Sequence, residues 1–386
     1  MASHNTAPLV KPSLPWTQGL AFGLKVRAIQ TAAATTELLG LHSRSPETEP
    51  DLVKTYSVRN HLPVRVFFPS SYDRSSAKPL PTLFTIHGGG FCIGSTPDDD
   101  AWNRAFADKH SILVVALNYG KAPGAPFPTG LDDLTSLYLA ALEDDSLPID
   151  KAGEGRIATC GFSAGGNLSL SLCQRLFQRR EQGVQPASCC PRAAVSVYGA
   201  LDLSRAPEAK VATRQFKPDA LSPPRNSSND FLLGMAPMFD WCYLPEGQDL
   251  TDPLLSPGPY ANRKHLPPHV FIIASELDML ANDSRECAYR LASPEGKVPQ
   301  LPAKCGRPEP GRHGELELND ERFHWQRTQG DGSVRWLLVP DVLHAFDSLP
   351  MRNRLGGEET MDDADLKTRA YRDILGDWLI GTVWAT

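Results

Sequence analysis

The stretch ATCGFSAGGNLSL, residues 158–170, sets Ser163 between Gly161 and Gly165, behind an apolar run and ahead of a helix-forming one. A G-x-S-x-G pattern at such a junction suits a sharp strand-to-helix turn. The glycines let the backbone close up, and the serine hydroxyl is lifted above the sheet, where a base can reach it. The start of the helix aims N–H groups and a positive dipole end at the same place. Taken alone, the five residues also fit a plain glycine-rich turn, so their surroundings must decide.

Outward from this stretch, short apolar runs recur: VRVFF (64–68), TLFTI (82–86), ILVVALN (112–118), RIATC (156–160), AAVSVY (193–198), HVFIIAS (269–275) and VRWLLV (334–339). Most are apolar throughout, as strands buried on both faces of a parallel sheet are. Helical patterns fall between them at 100–110, 130–144, 164–180, 283–293 and 362–380, the last with Leu366, Ala370, Ile374 and Trp378 on one stripe. This alternation predicts an α/β fold, a mostly parallel central sheet with helices on both faces.

Residues 1–55 read as a proline-containing arm and a helix, with apolar residues at helical spacing from Leu20 to Leu41. Residues 56–201 form the first part of the α/β core. Residues 202–262, rich in Pro, Ser and Asp, read as an insertion over the sheet edge, and 263–386 as the second part of the core. Within that part, 294–332 has few aliphatic residues and reads as a long polar excursion, partly disordered.

Directly after TLFTI comes IHGGGF, residues 86–91. Successive glycines at Gly88, Gly89 and Gly90 let backbone N–H groups approach a ligand oxygen with no side chain in the way. With the N–H of Ala164 they would form an oxyanion hole for an acyl group attacked by Ser163. A serine nucleophile needs a base, and the base needs an orienting carboxylate. Asp278 follows the strand HVFIIAS, and His344 follows VRWLLV; sites in open α/β sheets collect at those carboxyl ends. Other candidates fit less well. Asp283 lies a turn deeper, as an exposed or N-terminal helix residue, and Glu276 points away. His313 and His324 lie in the polar excursion, and His87 is placed to order the glycine loop.

The chain has 386 residues, 41% apolar and 22% charged, which is ordinary globular composition. A net charge of −6 with scattered basic residues argues against nucleic acid or an anionic membrane as partner. The eight cysteines show no C-x-x-C spacing, which argues against zinc; several lie in apolar runs as buried free thiols. No 18-residue apolar segment offers a membrane span, and the N-terminus lacks a signal-peptide pattern, so a cytoplasmic location is expected.

In HGGGF (87–91), NYGKAPGAPFPTGLDD (118–133), GFSAGGNL (161–168), DPLLSP (252–257), ELDML (276–280) and LHAF (343–346), the chain resembles the hormone-sensitive-lipase-like family of α/β-hydrolases, over roughly residues 60–350. The resemblance implies a Ser163–His344–Asp278 triad and an oxyanion hole from the glycine loop with Ala164. It also implies a cap built from the N-terminal segment and the post-200 insertion, and no metal or organic cofactor. The expected reaction is hydrolysis of a small apolar carboxylic ester, short- or medium-chain or polyketide-like. Acyl transfer, cyclisation or elimination by the same triad is the alternative. A receptor that only binds a small molecule is a third reading, which the setting of His344 disfavours. Phe91, Phe162, Phe239 and Trp241 are the candidate pocket residues. Members of the family often dimerise, which leaves a homodimer open.

The chain departs from the family pattern where an acidic residue often precedes the serine; here it is Phe162. The segment Tyr119-Gly120-Lys121-Ala122-Pro123-Gly124 also lacks the usual arginine and glutamate. If the three losses are linked, small or apolar groups have replaced one buried polar network, and no other acidic residue fills the space around Phe162.

Overall fold

The computed structural model describes residues 9–39, 45–76, 78–153, 155–211, 219–227, 230–293, 297–299 and 309–385. Nine strands form one sheet: β1 (Leu52–Lys54), β2 (Val64–Phe67), β3 (Thr82–Ile86), β4 (Leu113–Leu117), β5 (Ile157–Phe162), β6 (Ala193–Val197), β7 (His269–Ser275), β8 (His324–Gln329) and β9 (Gly332–Val339). Their order is β1-β2-β4-β3-β5-β6-β7-β9-β8. The six strands from β4 to β9 are parallel neighbours, whereas β1, β2 and β8 pair antiparallel at the edges. Every residue of β3, β4, β5, β6 and β7 is buried, which is why those runs read as apolar from end to end.

Helices cover both faces. α2 (Asp100–His110) and α9 (Glu358–Trp378) pack on one through Trp102, Phe106, Tyr371, Leu375 and Trp378. On the other lie α3 (Thr129–Glu143), α4 (Ala164–Glu181) and α8 (Ala281–Ala292). The chain leaves β3 for β4 on one side and returns to β5 on the other side of β3. The loops after β3 and β5 therefore face each other at a topological switch point, where α/β sheets open a crevice.

Two expectations need correction, and one strand carries no apolar signal. Within the polar excursion, residues 324–329 form β8 against β9. Trp325 is the one buried residue of this edge strand, so HWQRTQ carries no apolar run. Residues 294–296 and 300–308 lie outside the described residues, as does Cys305. The stripe on α9 is also displaced. Ala364, Lys367, Tyr371, Leu375 and Trp378 are buried, whereas Leu366, Ala370 and Ile374 are half-buried. Buried Lys367 hid the pattern; its ammonium donates to Asp363 at 2.8 Å and to the Pro340 carbonyl at 3.0 Å.

The N-terminal helix α1 spans Trp16–Leu38. Its apolar spacing marks the wrong face, because Leu20 and Leu24 are exposed while Val26 is fully buried. The small residues make the contact. A Cβ on Gly19 would lie 2.4 Å from the Trp241 ring. Trp241 stands on α6 (Ala236–Tyr243), which lies between α5 (Pro207–Val211) and α7 (Pro257–Tyr260) within the insertion. The α1–α6 pair is thus formed by a tryptophan seated over glycines, a pattern that apolar periodicity does not register.

Candidate active site

Ser163 sits between β5 and α4 at φ 54°, ψ −117°, in the left-handed half of the map that side chains avoid. Both flanking glycines are required by close approach. A Cβ on Gly161 would lie 1.9 Å from the Gly165 carbonyl oxygen, and one on Gly165 would lie 2.1 Å from that of Ile86. The Ser163 N–H donates to Val197 at 2.9 Å and holds the strained turn to β6. Asn167, one turn into α4, donates to the carbonyls of Ala200 and Leu255.

The Ser163 hydroxyl lies 2.8 Å from His344 Nε2, and His344 Nδ1 lies 2.7 Å from Asp278 Oδ2. The three residues come from the ends of β5, β9 and β7, so one sheet edge assembles the relay. Asp278 also accepts from the Leu280 N–H at 2.9 Å. Burial alone would lower the imidazole of His344. The Asp278 charge and hydrogen bond outweigh it, with Asp230 and Asp347 adding, and His344 sits above its ordinary value.

The glycine loop faces the serine. A Cβ on Gly88 would lie 3.3 Å from that of Ser163, and Gly89 and Gly90 adopt φ 110° and 57°. Among the described residues, no backbone carbonyl accepts from the N–H groups of Gly88, Gly89, Gly90 or Ala164. His87 Nδ1–H donates to the Gly88 carbonyl at 2.7 Å, and its ring stacks on Tyr119. Burial, then Lys121, push its imidazole well below the ordinary value. His87 therefore stays neutral and orders the loop.

Of the other candidates, Glu276 is buried and accepts from the Asp341 N–H at 2.8 Å, bracing the loop that carries His344. Asp283 lies in the first turn of α8 but is buried rather than exposed, paired with Arg205 and Lys210. His313 pairs with Asp362 on the surface, and His324 begins β8. Among the described residues, no group of three or more His, Cys, Asp or Glu side chains could hold a metal.

The pocket candidates separate. Phe239 packs on the glycine loop, where a Cβ on Gly90 would lie 2.2 Å from its ring. Phe91 stacks on Tyr243 at 3.8 Å. Trp241 instead faces α1, edge-on to Phe22, and belongs to that interface. Phe162 is buried, its ring edge-on to Trp102 at 5.1 Å and tilted against Tyr198 at 6.3 Å.

The expected charge-free surroundings of Phe162 are not found. Tyr198 and Tyr371 both donate their hydroxyls to the carboxylate of Asp347, and Trp102 donates to the Tyr371 hydroxyl at 2.8 Å. Beside Gly120, Asp133 accepts from the Gly120 N–H at 3.0 Å and from Arg59 at 2.5 Å. Charged groups from elsewhere in the chain serve the region, so linked loss of a polar network does not explain Phe162. Asp230 also escaped sequence reasoning. It accepts from Leu232 N–H at 2.9 Å and Met279 N–H at 2.8 Å, which ties the insertion to the loop of Asp278. Its one signal is an acidic residue preceding the short helical turn at 231–234.

The model of the α/β-hydrolase fold family matches residues 83–302. Arylacetamide deacetylase of Oryctolagus cuniculus is 34% identical over 135 residues, covering 34% of this chain and 33% of that protein. Ethyl acetate hydrolase of Pseudomonas putida is 32% identical over 163 residues, covering 40% and 47%. The match thus spans less than half the length of either relative. A hyperthermophilic esterase from Pyrobaculum calidifontis superposes with a TM-score of 0.61 at 19% identity, covering 93% of this chain and 92% of that one. An ester hydrolase from the metagenome of Lake Arreo gives 0.57 at 24%, covering 94% and 93%. At such identities the two structures speak for the fold alone. With more than half its length matched and the nine-stranded sheet in place, the chain belongs to the α/β-hydrolase fold family, in its hormone-sensitive-lipase-like branch.

Proposed function

We propose that this chain is a serine carboxylesterase working through an acyl-enzyme. The observation that carries this reading is the continuous relay Ser163–His344–Asp278, with Ser163 facing the glycine loop. His344 takes the proton of Ser163 as its Oγ attacks the ester carbonyl. Asp278 holds the imidazole in one tautomer and stabilises the imidazolium. The N–H groups of the glycine loop and Ala164 receive the developing oxyanion, each such donor being worth on the order of 10²–10³ in rate. His344 then returns the proton to the leaving alcohol and activates the water that releases the acyl group.

The substrate is a small, mainly apolar ester. Phe239 beside the glycine loop and Phe231 beside His344 support an apolar lining. Two relatives are named for hydrolysis of ethyl acetate and for deacetylation of arylacetamides, which favours a short acyl group. The insertion and α1 serve as a cap over the crevice.

A panel of p-nitrophenyl esters of increasing acyl length tests this reading, with Ser163→Ala as control. The parent should turn over short acyl esters and take up one fluorophosphonate at Ser163. Ser163→Ala should lose roughly 10⁶ in kcat. Near-parental turnover by that variant would sink the mechanism.

A further inference from the structure

We propose that Asp347 is a positioning residue for His344, a second buried carboxylate that steadies the imidazolium alongside Asp278. The inference rests on the hydrolase reading and extends it to a residue beyond the triad.

Asp347 lies three residues past His344, in a turn where Ala345 takes φ 57° and the Ser348 N–H donates to the Ala345 carbonyl at 3.1 Å. Its two oxygens are held separately, Oδ1 by the Tyr198 hydroxyl and Oδ2 by the Tyr371 hydroxyl. Tyr371 is itself held by Trp102. Tyr198 links this carboxylate to the base, because its ring edge meets the His344 ring at 5.0 Å while its hydroxyl reaches Asp347. Phe162 lies against Trp102 and Tyr198 and shields the assembly.

A purely structural tie between β6, α9 and the His344 loop could be made with apolar groups, without desolvating a charge. A carboxylate here has an electrostatic effect that such a tie lacks. The groups bearing on His344 are Asp278 from the loop after β7, Asp230 from the insertion and Asp347 from its own loop, all favouring the charged ring. Tyr198, beyond β6, is kept neutral by burial and by Asp347. Burial pushes the Asp347 carboxyl above its usual range, against which the Tyr198 and Tyr371 hydroxyls and His344 hold it ionised, and burial raises nearby Asp99 well above its usual range. Desolvation strengthens every one of these interactions.

The test is the pH dependence of fluorophosphonate labelling at Ser163, which follows deprotonation of His344 without needing the natural substrate. In Asp347→Asn, the acid limb should move down by roughly half a unit to one unit. A folded Asp347→Asn protein whose limb coincides with the parental one overturns the proposal. If that variant fails to fold by circular dichroism, Tyr371→Phe replaces it. Losing one donor makes Asp347 easier to protonate, so the limb should move the same way, less far; an unmoved limb again overturns the proposal. If the parent protein takes up no label at any pH, the hydrolase reading falls and takes this proposal with it.

Discussion

At the residue scale, one histidine governs the pH behaviour of the site. His344 sits above the ordinary imidazole value of about 6.5 because Asp278 outweighs its burial. As general base it must be neutral, so kcat/KM should fall as pH drops through a value above 6.5. Its effect on stability has the opposite sense. A pKa raised on folding contributes stability that is fully present below 6.5 and is lost as pH rises through the folded value. In Asp278→Asn, burial is no longer opposed by that charge. The acid limb should then move to lower pH, while kcat drops by on the order of 10⁴ because the tautomer is wrong. A pH–rate profile of the two proteins reads both effects, and an unshifted limb would contradict the assigned partner.

At the scale of elements, the turn from β5 into α4 tolerates no side chain at Gly161 or Gly165. In Gly165→Ala the new Cβ would meet the Ile86 carbonyl at 2.1 Å, and neither β3 nor α4 can yield without moving Ser163. The variant should lose on the order of 3 kcal/mol in stability. A misplacement of about 1 Å should also cost some 10² in labelling rate. Gly183→Ala is the control: φ is +71° but nothing lies within 4 Å, so only about 1–2 kcal/mol of backbone strain is expected. Thermal melts and labelling of both variants decide the matter.

The same turn shows what the sequence could reveal. Gly161, Gly165, the glycine loop and the fully buried strands were legible because backbone crowding and two-sided burial restrict residue type at every position. Asp347 and Asp230 were not. Each acts through partners 24 to 149 positions away, Tyr371 and Tyr198 for the first and Met279 for the second, and a single aspartate in a polar loop carries no local sign of them. Trp241 was misplaced because its partners on α1 are glycines, and β8 was missed because a one-sided edge strand looks polar.

For the whole molecule, buried histidines contribute an acid-sensitive share of the stability. His269 at the start of β7 is lowered to about 4 by burial, then by Arg192 and Arg263. His87 is held well below its ordinary value by burial, then by Lys121. His110, against Gly376 of α9, is lowered mainly by burial, with Asp373 and Asp377 opposing. A histidine lowered on folding contributes stability present above 6.5 and lost as pH falls toward the folded value, because only the unfolded chain takes up the proton. His344 acts in the other direction. His324 is lowered as well, mainly by burial, whereas burial raises Asp99, Asp240, Asp283 and Asp347, which take up protons first in the folded chain and so oppose the lowered histidines. The histidine share should appear below pH 6.5 as a fall in melting temperature that single histidine variants reduce. In His269→Gln, an amide replaces the ring that meets Ser333 Oγ at 3.0 Å. The pH slope of the melting temperature should drop by the share of one proton, even if the variant is less stable at pH 7.5. An unchanged slope would show that His269 is not a source of the acid sensitivity.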